Sequence, residues 1–97
     1  MTILLAPEAE QELIEGALFY AREANAELGF AFISEFERSA ALLAEQPRLG
    51  AVWRGRVRRF PLRRFPYSIV YYLSQLDVRV LAVAHQSRKP GFWSGRS

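Results

Sequence analysis

Apolar residues recur with the period of a helix along the first half of the chain, and with the period of a strand along the second. Thr2–Leu5 is short, apolar and β-compatible, and reads as a first strand at a sheet edge. Pro7 follows and suits the first turn of a helix, where its missing N–H leaves no bond unmade. Glu8, Glu10 and Glu12 then sit where the helix dipole favours anions. Over residues 7–24, Leu13, Ala17, Tyr20 and Ala24 recur at helical spacing with Ile14 and Leu18 beside them, and Glu8, Glu12, Glu15 and Arg22 lie opposite. That is an amphipathic helix. Asn25 breaks it and can cap a second helix over 26–46, whose apolar face is Leu28, Phe32, Phe36, Ala40 and Leu43. Pro47 and Gly50 end it. Two helices joined at Asn25 make an antiparallel hairpin with one shared apolar face.

From Val52 the period becomes 2. Arg56–Phe60 reads as a basic strand that Pro61 either marks as an edge or ends. Residues 63–66 form a connection, and Tyr67–Leu73 has the β-branched and aromatic composition of a strand. A tight link at 74–77 leads to Val78–His85, which is so continuously apolar that it reads as a central strand covered on both faces. The tail, 86–97, holds Pro90, Gly91 and Gly95 and reads as irregular or a short turn. The order β-α-α-β-β-β predicts an α+β fold, with an antiparallel helix hairpin packed on a small, mainly antiparallel sheet.

Composition adds limits to this picture. Ninety-seven residues, half of them apolar, suit one domain over 1–97 with one core. With no cysteine, disulfides and thiolate metal sites are excluded, and a single histidine makes a transition-metal site improbable. No cofactor motif is present. The N-terminus has no basic region before its short apolar run and no stretch approaches a membrane span, so cytoplasmic placement without membrane contact is expected.

The net charge of +3 conceals a split. Residues 1–47 carry nine Glu against Arg22 and Arg38, a balance of −7; residues 48–97 carry ten Arg and Lys89 against Asp77, a balance of +10. Such a chain offers a basic half to a polyanion or an acidic protein, unless the two signs pair internally. Arg54, Arg56, Arg58, Arg59, Arg63 and Arg64 fall within eleven residues, interleaved with Trp53, Phe60 and Phe65. Arginines alternating with aromatics give phosphate contacts and stacking surfaces. The same pattern would also keep an edge strand soluble. Strand alternation puts Arg56 and Arg58 on one face and Arg59 on the other.

His85, at the end of the central strand and followed by Arg88 and Lys89, is a candidate general acid or base for RNA cleavage. It could equally close the strand by bonding a backbone carbonyl. The hydroxyls of Tyr67, Tyr71 and Tyr72 could meet phosphates, with at least two of the rings expected in the core or a groove. Trp93 is a stacking platform, a partner anchor or a lid on the core.

These residues resemble a known family. Leu5-Ala6-Pro7-Glu8-Ala9-Glu10-Gln11-Glu12-Leu13 is similar to the start of RelE/ParE family toxins, also called plasmid stabilisation proteins. So are Phe32, Phe36 and Leu43 ahead of Pro47 and Gly50, the run Arg63–Tyr71, and Val80–Trp93. The resemblance implies a toxin neutralised by a cognate antitoxin, forming a hetero-oligomer with it. The basic, aromatic half suits that partner, whose acids would meet the arginines.

Family members act on one of two targets. RelE-like members cleave messenger RNA on the ribosome, and ParE-like members inhibit DNA gyrase. The RelE-like site implies lysines, an arginine just inside the strand starting at Tyr67, an arginine after the last strand, and a C-terminal tyrosine. Here Ser68 stands at the first arginine's place, Arg88 matches the second, and Phe92 and Trp93 stand near the tyrosine's. Lys89 is the only lysine. The sequence is thus closer to the ParE-like branch. The expected target or nucleic-acid contacts are Arg56, Arg58, Arg59, Arg63, Arg64, Arg88, Lys89 and Trp93. A nuclease would instead use His85, Arg88, Arg63 and Arg64. A third reading is a degenerate toxin that binds only antitoxin or operator DNA.

Overall fold

The computed structural model describes residues 1–96. The elements are β1 (Thr2–Leu5), α1 (Pro7–Glu23), α2 (Ala26–Glu45), β2 (Ala51–Arg54), β3 (Val57–Pro61), β4 (Tyr67–Leu73) and β5 (Asp77–His85). The fold is α+β, with the helix hairpin on one face of a five-stranded sheet of order β1-β5-β4-β3-β2. β1 runs parallel to β5, and every other pair is antiparallel.

The sheet has one strand more than the periodicity predicts. β2 and β3 are joined by the two residues Gly55 and Arg56, and Gly55 has φ +57°. Glycine at the first central position of a two-residue loop is the mark of a type II′ hairpin turn. The edge is therefore β2, and Pro61 ends β3 opposite Ser68. As expected, β1 is the other edge, and β5 lies between β1 and β4, buried on both faces. β5 also carries a bulge: Val70 faces Ala82 while Tyr71 faces Val80. The extra residue, Leu81, resets the alternation, so Val78, Val80 and Val83 point to the helices and Leu81, Ala82 and Ala84 point away.

Ala6 gives α1 no side-chain cap, but its N–H donates to the Val80 carbonyl at 2.9 Å. That ties the helix start to β5. Asn25 caps α2 as expected, its Oδ1 accepting from the Leu28 N–H at 2.8 Å. α2 buries Phe32, Phe36, Ala40 and Leu43 against Ile69, Tyr71, Val78 and Val80. The buried residues of α1 are Ala9 and Gly16. Such small residues let the helix lie close and bury only a narrow stripe. Ile14, Leu18 and Phe19 are consequently exposed. Glu12, expected on the solvent face, turns towards β5.

One buried hydroxyl fixes the passage from α2 to the sheet. Tyr71 is fully buried; its hydroxyl donates to the Pro47 carbonyl at 2.7 Å and accepts from the Gly50 N–H at 2.9 Å. A Cβ on Gly50 would stand 2.5 Å from that oxygen, so only glycine fits. Arg58 Nη1 then donates to the Gly50 carbonyl at 2.8 Å and the Arg48 carbonyl at 3.2 Å. A second link joins α2 to the β3–β4 connection. The Glu35 carboxylate accepts from Arg38 Nε and Nη2, from the Ser39 hydroxyl, and from the Arg63 N–H at 2.7 Å. Hydrogen bonding from Arg38, aided by the Arg63 N–H and the Ser39 hydroxyl against a cost of burial, pulls its pKa down to about 2.

Two tests follow from these links. Tyr71→Phe leaves the buried Gly50 N–H without its acceptor and should cost roughly 1–3 kcal/mol in urea unfolding. An unchanged midpoint would mean that the hydroxyl is dispensable. For Glu35 the folded pKa lies below the unfolded one. Its stabilisation is therefore complete above the unfolded value near 4.5 and is lost as the pH falls towards 2. The melting temperature should drop across that window, and the drop should be shallower in Glu35→Gln; identical acid limbs would refute the link.

Candidate interaction surface

The face of the sheet opposite the helices carries the arginine–aromatic cluster. The register of β2 slips between Val52 and Arg54. Such a bulge turns successive side chains to the same side. Trp53 accordingly packs with Val57 and Tyr72 on this face, and Arg54 Nη1 approaches Gly91 of the tail crossing it. Arg59, opposite Val70, lays its guanidinium 4.6 Å from the Trp53 ring centroid. Arg56 lies 4.3 Å over the Tyr72 ring.

Arg56 and Arg59 therefore share a face and Arg58 occupies the other, contrary to simple alternation. The reason is that Arg56 belongs to the hairpin turn and not to a strand. Arg58 is also committed internally to the carbonyls of Arg48 and Gly50. Tyr71 is likewise a core residue, its hydroxyl fully used.

The tail crosses this same face. Trp93 is 7% exposed and stacks against Trp53 at 4.7 Å, with Phe92 beside it. Trp93 is thus a lid on a second small core of Val70, Leu81, Ala82 and Ala84, and its ring is not open for base stacking. The tail is held by Glu12 of α1. Glu12 Oε1 accepts from Arg96 Nη1 at 2.8 Å and from the Val83 N–H at 3.2 Å, and Arg96 Nη1 also donates to the Leu81 carbonyl at 3.1 Å. β1 reaches only as far as Val80. Glu12 and Arg96 supply to β5 bonds that a longer neighbouring strand would have made. Arg88 lies 4.1 Å from the Phe92 ring centroid and 3.7 Å from Glu12, while Lys89 is exposed.

His85 ends β5 opposite Tyr67. Its Nδ1 accepts the Ser87 N–H at 3.1 Å and lies 2.9 Å from the Ser87 hydroxyl. In the neutral ring the proton therefore sits on Nε2. A shallow cleft of about 210 Å³ is lined there by Glu12, Phe19, Tyr67, His85 and Arg88. Burial pushes the Tyr67 phenol above its ordinary value, so at neutral pH it can donate but is not ionised. Arg63 and Arg64 do not line this cleft. Arg63 is anchored through its N–H to Glu35. Arg64, in the left-handed region at φ 70°, lies beside Asn25, Glu27 and Leu28 at the start of α2. The fold thus unites His85 with Arg88 and separates both from Arg63 and Arg64. The helix pattern gives no sign that Glu12 anchors the tail, because on it Glu12 is one more exposed acid. Among the described residues no group of His, Asp and Glu is placed to hold a metal ion.

A family model described as the ParE toxin of type II toxin–antitoxin system, parDE, matches residues 3–90. A search of curated proteins finds no match. Among solved structures, a chain of the chromosomal ParDE TA system from P. aeruginosa superposes with a TM-score of 0.78 at 17% identity, covering 88% of this chain and 95% of that one. At that identity the likeness speaks for the fold. Among the described residues no helix is long and apolar enough to cross a membrane. With its model matched from Ile3 to Pro90, across both helices and all but the first residue of the sheet, the chain belongs to the ParE toxin family of type II toxin–antitoxin systems.

Proposed function

We propose that this chain is a growth-arresting toxin that acts by binding DNA gyrase, and that a cognate antitoxin holds it inactive in a hetero-oligomer. The observation that carries the choice of target is what stands at the nuclease positions implied by the resemblance. Ser68 is buried in β4 where an arginine would stabilise a phosphorane, and the buried Trp93, with Phe92, stands where a tyrosine would pass a proton. Neither position can do that chemistry. Gyrase inhibition needs a binding surface and no acid or base. Its target being cytoplasmic, so is the site of action.

The antitoxin has an apolar surface to cover on the outer face of the helix hairpin. Ala17, Leu18, Ala21, Gly29, Phe30 and Ile33 line a groove there, with Phe30 72% exposed. That groove suits the apolar face of an antitoxin helix. The basic face is less suited, because arginines and the tail cover its rings.

RNA cleavage is the second reading, favoured by a cleft that holds both His85 and Arg88. Purified toxin titrated into a gyrase supercoiling reaction should abolish supercoiling, and antitoxin should restore it. Unchanged supercoiling by a toxin that still arrests growth would reject the gyrase reading. His85→Ala with Arg88→Ala should leave killing intact at equal expression; lost killing would move the assignment to the nuclease. Phe30→Asp should weaken antitoxin binding at least tenfold, and unchanged binding would place the antitoxin elsewhere.

A further inference from the structure

The fold segregates charge by sheet face. The acidic helices cover one face. The other carries Arg54, Arg56 and Arg59 of the β2–β3 hairpin region, together with Arg79, which is paired across the strands with Tyr72. The tail that crosses this face adds Arg88, Lys89 and Arg96. Against these stand Asp77, bound to Arg79 at 3.3 Å, and Glu12 at the far edge, bound to Arg96 and Arg88. Among the described residues Arg54, Arg56 and Arg59 have no carboxylate partner. All three are exposed. Internal pairing therefore does not neutralise the basic half. Instead, two of these guanidinium groups lie over the rings of Tyr72 and Trp53, which restricts them while their N–H donors stay free.

We propose that this face binds the phosphate backbone of duplex DNA, without reading sequence. Two observations select duplex over single strand. The rings that would stack on unpaired bases are already occupied: Trp93 is buried on Trp53, and Arg59 and Arg56 cap Trp53 and Tyr72. What the face offers is three unpaired guanidinium groups, two of them held over rings, and these are the donors that hold phosphate oxygens. The turn Gly55-Arg56 closes the hairpin directly after the paired residues Arg54 and Val57, with a cation on either side of its glycine. With Arg59 on the same face, this end of the sheet presents three unpaired cations to a phosphate backbone. The inference does not rest on gyrase as the target. A toxin that fails to inhibit supercoiling can still bind DNA, and the reverse also holds.

The test is fluorescence anisotropy of two unrelated labelled 20-bp duplexes, a 20-nucleotide single strand and a polyglutamate peptide, titrated with the full chain purified away from its antitoxin. Both duplexes should bind equally, with affinity falling steeply with salt at a log–log slope of about −0.9 per neutralised phosphate. Arg54→Gln/Arg56→Gln/Arg59→Gln should weaken duplex binding at least tenfold and make the slope shallower by about 3. Arg22→Gln, on the helix side, should change neither. If the triple variant melts early, Arg54→Gln/Arg56→Gln at the exposed tip serves instead, with a slope change of about 2. Any of three results would overturn the proposal: no duplex binding at low salt; undiminished binding by a folded variant; or tighter binding of the single strand or the acidic peptide than of the duplex.

Discussion

The phenol of Tyr71 holds the molecule together at the point where helices give way to sheet. It stands on β4 in the middle of the core. Its hydroxyl holds both ends of the short passage that leaves α2, the Pro47 carbonyl and the Gly50 N–H. A buried polar group that lost these partners would carry its full desolvation cost, so the passage has one position open to it. That position sets where β2 begins. The start of β2 sets its pairing with β3, and the pairing sets the bulge and the II′ turn that bring the arginines to the open face. Arg58 completes the arrangement by binding the Gly50 carbonyl from β3. Arg58, which the sequence pattern assigns to a ligand surface, thus works as a strut.

The sheet separates two environments. Towards the helices it carries aromatic and branched residues, with Tyr20, Phe32, Phe65 and Tyr67 in contact at 4.9–6.3 Å, edge-on in every pair but the tilted Tyr20–Phe32. Away from them, a second small core is roofed by the tail. Because the acids lie on the helices and the cations on the strands and tail, the layered architecture turns a charge split along the chain into a charge split through space. The two signs meet mainly at the sheet edge, where Glu12 holds Arg96 and Arg88.

That edge also shows how the tail acquires its place. β1 is too short to pair with the end of β5, so an N–H and a carbonyl of β5 would lie open. A carboxylate from α1 takes the first and a guanidinium from the tail takes the second, and the two side chains bind each other. Trp93 and Phe92 are thereby pressed onto the sheet. The His85 cleft opens beside this contact and shares Glu12 and Arg88 with it. Any role for Arg88 in binding or chemistry must compete with its attraction to Glu12 and the Phe92 ring.

The chain's own pattern determined the helix hairpin, the cap at Asn25, the central place of β5 and the edge place of β1. Those features follow from local periodicity and from burial on one or two faces, which a linear sequence displays directly. The resemblance carried by Leu5–Leu13, Arg63–Tyr71 and Val80–Trp93 was also legible, and with it the family. β2 was concealed because the bulge between Val52 and Arg54 leaves its four residues no clean alternation, although Gly55 between Arg54 and Arg56 was a turn signal within reach. The tertiary structure alone decided which arginines share a surface. A bulge at Trp53 and a turn at Arg56 break the two-residue alternation from which faces are counted, and a register slip leaves no mark in composition. It alone decided, too, that Glu12 faces β5 and that Trp93 is a lid, because both depend on a strand end and a tail brought together from opposite ends of the chain.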